Sequence, residues 1–167
     1  MSMATKMLLS REEYLQTSFE NPEPDYVDGE LMERPIPNFS HGRTQVLLSD
    51  AFMPCEKRKE LFRAPEIRFP VALNKFRVAD FGLFTRPQRD LPEDAPYMVV
   101  EIVSPDDRHE ELITKLAEYE DAGIKFIFLA DPPLRKLSRY QRGDLINVPA
   151  LEMPEYGVNI PLSQIFE

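Results

Sequence analysis

Tyr97-Met98-Val99-Val100-Glu101-Ile102-Val103 and Ile124-Lys125-Phe126-Ile127-Phe128-Leu129-Ala130 are two nearly unbroken apolar runs. A run without polar alternation reads as a strand covered on both faces. Between them, Ser104-Pro105 closes the first run, and Asp106 to Ala122 carries Leu112, Ile113, Leu116, Ala117 and Tyr119 at helical spacing. Gly123 follows in the position that ends a helix. A buried strand, a helix of roughly 16 residues and a second buried strand form a crossover, so the two strands are expected to lie parallel in one sheet.

Upstream, Ser10 before Arg11-Glu12-Glu13-Tyr14-Leu15 is a helix start, with Glu13 placed to complete a capping box and Pro22 and Pro24 to end the helix. Tyr26-Val27-Asp28-Gly29-Glu30-Leu31-Met32 reads as two short strands about an Asp-Gly turn. Val46, Leu47, Leu48, Ala51 and Phe52 predict a second helix from Ser40 or His41 to about Cys55, ending close to Pro54. Leu61 to Phe69 and Phe76 to Phe84 are strand-like. Downstream, 134–148 reads as a hairpin around Arg142-Gly143-Asp144, and a tail from Pro149 with Pro154 and Pro161 as irregular or edge structure. The expectation is one α/β (α+β) domain over residues 1–167, a mixed central sheet flanked by helices, with its core in about 10–142 and a tail at about 149–167.

With 167 residues, the chain is long enough to bury roughly 70% of its unfolded surface without metal or disulfide staples. Cys55 is the only cysteine, which excludes an internal disulfide and fits a reducing, cytoplasmic setting. Met1 to Ser10 shows neither a secretion signal nor a membrane span. The 20 basic and 29 acidic residues give a charge of −9, which argues against coating nucleic acid by bulk charge. Charge is nevertheless segregated. Residues 56–77 hold seven basic and three acidic residues, and 134–142 add Arg135, Lys136, Arg139 and Arg142, whereas 101–122 hold eight acids against Arg108 and Lys115. Solvated faces explain such runs. Two basic rims about an acidic centre, as a metal-dependent phosphodiesterase would carry, explain them too.

Asp80, inside Arg77-Val78-Ala79-Asp80-Phe81, and Glu101, in the apolar run, are carboxylates in buried strands, costly unless paired, hydrogen-bonded or metal-bound. Each alone reads as a strand-end residue, Glu101 with Lys115 or Arg108 as partner. Together on adjacent strands they would suit magnesium, which takes one or two carboxylates plus waters and phosphate. Ser104 lacks a nucleophile-elbow pattern, no glycine-rich phosphate loop exists for a nucleotide cofactor, and Cys55 with two distant histidines spells no zinc site.

In Asp25-Tyr26-Val27-Asp28-Gly29-Glu30-Leu31, His41-Gly42, Val78-Ala79-Asp80, Val99-Val100-Glu101-Ile102-Val103-Ser104-Pro105, Lys115, Tyr119, Gly123 and Asp131-Pro132, the chain resembles the bacterial putative restriction endonuclease family built on the PD-(D/E)XK nuclease core. The Glu-x-x-Ser-Pro strand end followed by Lys-x-x-x-Tyr is the specific part. The resemblance implies that Asp80 and Glu101 are the catalytic acids and metal ligands. The lysine usual two positions after the second acid is Val103 here, as in the family, and Lys115 on the next helix is implied as its substitute. Asp25 stands where the family usually has Glu and would be a third acid; Ala79 stands where Pro precedes the first Asp. His41 and Tyr119 are implied as accessory residues, although Tyr119 also reads as core packing and His41 as a cap. The implied activity is Mg2+- or Mn2+-dependent hydrolysis of DNA by a homodimer. The alternatives are a non-catalytic domain that binds nucleic acid or protein with the same fold, and a nuclease for small or single-stranded substrates.

Overall fold

A computed structural model describes residues 8–167; the reading of Met1 to Met7 lies outside the described residues. Helix α1 (Arg11–Gln16) has the full capping box, with Ser10 and Glu13 exchanging side-chain and backbone hydrogen bonds. It stops at Gln16, short of the two prolines, and buries Tyr14 against Tyr26 and Phe76. Strands β1 (Asp25–Val27) and β2 (Glu30–Met32) form the expected hairpin. Asp28 and Gly29 both take positive φ, +49° and +96°, as a tight primed turn requires.

Helix α2 (Phe39–Lys57) runs through Pro54 rather than ending beside it. A proline so near the C-terminus removes one backbone bond, and burial of Phe52 and Cys55 on the same helix offsets that loss. Strands β3 (Phe62–Ala72) and β4 (Lys75–Phe84) pair along their lengths; β5 (Met98–Ile102) follows. Helix α3 (His109–Asp121) starts three residues later than its apolar pattern suggested and ends before Gly123, which has φ +84°. Strand β6 (Phe126–Asp131) lies parallel to β5, in the register Val100↔Phe128. Strands β7 (Lys136–Gln141) and β8 (Asp144–Val148) complete an eight-stranded mixed sheet, ordered β2-β1-β4-β5-β6-β7-β8 with β3 also on β4.

The sheet has two covered faces. Met98, Val100 and Ile102 point to the face under α2, while Val99 lies under Leu116 and Tyr119 of α3. Of the two readings of the tail, irregular or edge structure, the fold takes the second: the tail pairs with itself as a separate two-stranded sheet. It forms strands β9 (Ala150–Met153) and β10 (Val158–Pro161) and a last turn α4 (Leu162–Ile165). Leu151, Met153, Ile160, Ile165 and Phe166 join the core on the α2 face. Its prolines sit at strand and helix ends, where no ladder bond is lost. Among the described residues no helix is long and apolar enough to cross a membrane.

Candidate active site

Strand β4 carries the site because it changes partner. One edge is paired with β3 from Lys75 to Phe84, interrupted opposite Asp80. The other pairs β1 through Lys75 and Phe76, then β5 from Phe81 onward, so residues 77–80 face a fork in the sheet. Buried backbone groups left without a strand need other partners, and side chains supply them. The Val78 N–H donates to Asp25 Oδ1 at 2.7 Å, the Val78 carbonyl accepts from Lys115 Nζ at 2.8 Å, and the Ile102 N–H donates to Asp80 Oδ2 at 2.7 Å.

The pairing Phe81↔Val100 sets Asp80 and Glu101 opposite each other one step further along. From α3, Lys115 and Tyr119 lie four residues apart on one helical face, and both reach Glu101. Tyr119 donates its hydroxyl to Glu101 Oε1 at 2.5 Å, and Lys115 Nζ lies 3.1 Å from the same oxygen and 3.8 Å from Asp25 Oδ2. Tyr119 also packs on Phe69, so the core reading and the site reading of this residue both hold geometrically. From α2, Asn38 caps the His41 N–H, and the His41 ring presents Nε2 to Asp80 Oδ2 at 3.3 Å. His41 Nδ1 is buried with no hydrogen-bond partner among the described residues. Asp25, Asp80, Glu101, Lys115, His41 and Tyr119, far apart in sequence, are thus brought together. Asp25 Oδ1 is taken by the Val78 N–H, and its second oxygen meets Arg77 Nη1 at 3.2 Å.

Several members were not singled out from the sequence. Arg34, in the loop after β2, donates to Asp80 Oδ1 at 2.8 Å and to Glu66 Oε2 at 2.7 Å. Gln45 of α2 spans Glu66 Oε1 at 2.6 Å and the Asp80 carbonyl at 2.9 Å. Arg77 is tied to Glu118 at 2.6 Å. Arg34 follows a polar hairpin and precedes Pro35, a pattern indistinguishable from any loop; only the pairing of β3 with β4 shows what it meets.

Electrostatics drives the two central acids apart. Burial raises the Asp80 carboxyl, but the His41 hydrogen bond, with Lys115 and Arg34 nearby, outweighs it and holds the group down at about 2. For Glu101, burial reinforced by the Asp80 charge outweighs Lys115 and Tyr119 and pushes the group up to about 8. Burial also works against the Lys115 ammonium, yet Asp25 and Glu101 hold it above its ordinary value, so it stays charged.

Asp25, Arg34, His41, Asp80, Glu101 and Lys115 line an open cleft of about 900 Å³ that is also bounded by Met32, Asp107 and Glu110, while Tyr119 lies behind its wall. Of the two readings of the charge runs, basic rims about the cleft is not the one the fold gives. Of the basic residues in 56–77, only Lys75 and Arg77 line the cleft, and 134–142 contributes none. Arg58 and Arg63 pair instead with Glu60 and Glu56, and Arg135 bonds the C-terminal backbone. The cleft's other cations are Arg34, Arg108 and Lys115. Among the described residues no three His, Cys, Asp or Glu side chains are grouped to hold a metal. Asp80 and Glu101 nevertheless form a pair of carboxylates that faces the cleft, and oxygen donors of this number fit a hard divalent ion that keeps several waters.

The family model described as "Uma2: Putative restriction endonuclease" matches residues 11–167. A solved structure titled as a putative nuclease belonging to DUF820 from Anabaena variabilis ATCC 29413 superposes with a TM-score of 0.79 at 18% identity, covering 92% of this chain and 95% of that one. At that identity the likeness concerns the fold. No curated protein matches.

Proposed function

Because the chain belongs to the putative restriction endonuclease family Uma2, we propose that it is a metal-dependent endonuclease that hydrolyses phosphodiester bonds of DNA at the fork in its sheet. The observation that carries this reading is the meeting of Asp80, Glu101 and Lys115 in one cleft from two strands and a helix. Asp80 and Glu101 would hold Mg2+ or Mn2+, which when bound lowers the pKa of water and polarises a phosphoryl oxygen.

The chain's own residues do the rest. Asp80 is kept ionised and pre-oriented by the Ile102 N–H and His41, so no reorganisation is required of it. Tyr119 fixes Glu101 through a short hydrogen bond. Lys115 is anchored by the Val78 carbonyl and carries a compact charge that suits orientation of the attacking water or compensation of charge on phosphorus. Asp25 holds Lys115 and Arg77 in place through its second oxygen. The His41 Nε2 contact with Asp80 makes His41 a positioning residue for that carboxylate. Arg34, Lys75, Arg77 and Arg108 line the walls where the phosphates of the strand would pass.

The test is cleavage of supercoiled plasmid and of single-stranded DNA with Mg2+, with Mn2+ and with a chelator, by wild type, Asp80→Asn and Lys115→Ala. Cleavage that requires metal and vanishes in both variants supports the reading. DNA binding without cleavage under any of these conditions would favour the non-catalytic domain, the alternative to which the −9 charge lends some weight.

A further inference from the structure

Arg34 is a buried cation placed between two carboxylates, and its surroundings are built to hold it there. Its side chain is only 8% exposed. Nη2 donates to Asp80 Oδ1, while Nη1 donates to Glu66 Oε2 and, at 3.3 Å, to the Glu23 carbonyl. Glu66 reaches this place at a cost in backbone conformation. It has φ +47°, uncommon for a residue with a side chain, and it drops out of the β3–β4 ladder between Pro65↔Phe81 and Ile67↔Ala79, opposite Asp80. Gln45 then clamps the displaced strand by bonding both the Glu66 carboxylate and the Asp80 carbonyl.

The two oxygens of Asp80 are unequally committed. Oδ2 is taken by the Ile102 N–H and by His41 Nε2. Oδ1 is held by Arg34 alone among the side chains described. A divalent ion seeking Asp80 from the cleft therefore meets the oxygen that the guanidinium occupies, and a planar guanidinium donates along a fixed direction that leaves no room for a second cation on that lone pair.

We propose that Arg34 is a tethered counter-cation that competes with the divalent metal for Asp80 Oδ1 and, once displaced, is retained by Glu66, itself held by Gln45, as a phosphate ligand on the cleft wall. The proposal rests on the reading of Asp80 as a metal ligand. It explains why a strained glutamate faces Asp80 without itself occupying the metal position: Glu66 keeps hold of Arg34 when Asp80 releases it. In the absence of metal, Arg34 gives the buried Asp80 a partner.

The experiment is calorimetric titration of Mn2+ into the full chain as wild type, Arg34→Gln, Arg34→Lys and Glu66→Gln, with Asp80→Asn as control, together with thermal unfolding in chelator and in Mn2+. Lysine keeps the charge but cannot span both carboxylates. Competition predicts that both Arg34 variants bind Mn2+ about tenfold more tightly, in the usual range for coupled binding, and that Mn2+ restores thermal stability they lose in chelator. Glu66→Gln, which leaves Arg34 to Asp80 alone, is expected to bind Mn2+ more weakly. Equal affinity in wild type and both Arg34 variants would overturn the proposal, as would tightening in Arg34→Gln alone, which is a bulk charge effect. Should Arg34→Gln fail to fold, Arg34→Lys and Glu66→Gln still decide, because competition requires their affinities to move in opposite directions. Absence of Mn2+ binding in every protein, or binding undiminished in Asp80→Asn, would instead remove the underlying metal-site reading.

Discussion

Replacing Glu101 by glutamine should make the metal-free protein less sensitive to pH and more stable above neutrality. Glu101 is buried opposite Asp80, and its carboxyl is pushed from an ordinary value of 4.5 up to about 8. A raised value in the folded state means that the native protein binds a proton the unfolded chain has released. The stabilisation from that proton is complete below pH 4.5 and is lost as pH rises through 8. Each pH unit in that window changes stability by at most about 1.4 kcal/mol, so a few kcal/mol separate pH 5 from pH 9. Asp80 does not cancel this slope. Its carboxyl is lowered to about 2 from 3.8, so its contribution is present above pH 3.8 and lost only as pH falls through 2. The side-chain amide introduced by Glu101→Gln cannot ionise, yet its carbonyl oxygen can still accept from Tyr119 and Lys115. Urea unfolding in chelator at half-unit steps from pH 5 to pH 9 measures the effect. Wild type is expected to lose stability steadily across the range while Glu101→Gln stays nearly level and crosses above it. A wild-type profile that is flat or rising between pH 5 and pH 8, or a variant as steep as wild type, would refute the reasoning.

Tyr119→Phe removes one buried hydroxyl and leaves the ring on Phe69; a loss of about 1–2 kcal/mol in urea unfolding is expected, and an unchanged stability would mean that Glu101 is held by other groups. Lys115→Met leaves Asp25, Glu101 and the Val78 carbonyl without their shared cation, which should cost about 3–5 kcal/mol and also abolish cleavage. A stable Lys115→Met that still cleaves would remove Lys115 from the mechanism. Phe166→Ala opens the core under the tail and is expected to cost about 3–5 kcal/mol, measured by the unfolding midpoint; a loss below about 1 kcal/mol would show that the tail is not part of the cooperative unit.

The parts of the fold set by local pattern were legible in the sequence. The two apolar runs and the intervening helical spacing placed β5, α3 and β6 with the correct parallel pairing. Asp28-Gly29 and Arg142-Gly143 marked the two hairpin turns because both positions in each turn need positive φ. Lys115 and Tyr119 could be put on one helix face from their spacing alone. What escaped depends on contacts between distant segments. Pro54 reads as a stop until the burial of Phe52 and Cys55 is known. The tail reads no further than irregular or edge structure because its prolines mask two strands whose role is to cover the core. The fork in the sheet, where β4 leaves β1 for β5, has no local signature, and with it Arg34, Glu66 and Gln45 stayed hidden. The charge runs left two readings open for a related reason: what a basic residue meets is set by its neighbours in space, and Arg58, Arg63 and Arg68 pair with acids.

The central claim is that Asp80 and Glu101 hold a divalent ion in the cleft. Crystals of the protein soaked in Mn2+ and measured at the manganese absorption edge test it directly. A single strong anomalous peak is predicted in contact with carboxylate oxygens of both Asp80 and Glu101, absent from crystals of Asp80→Asn. A fully soaked wild-type crystal with no peak there, or with manganese bound only elsewhere, would contradict it.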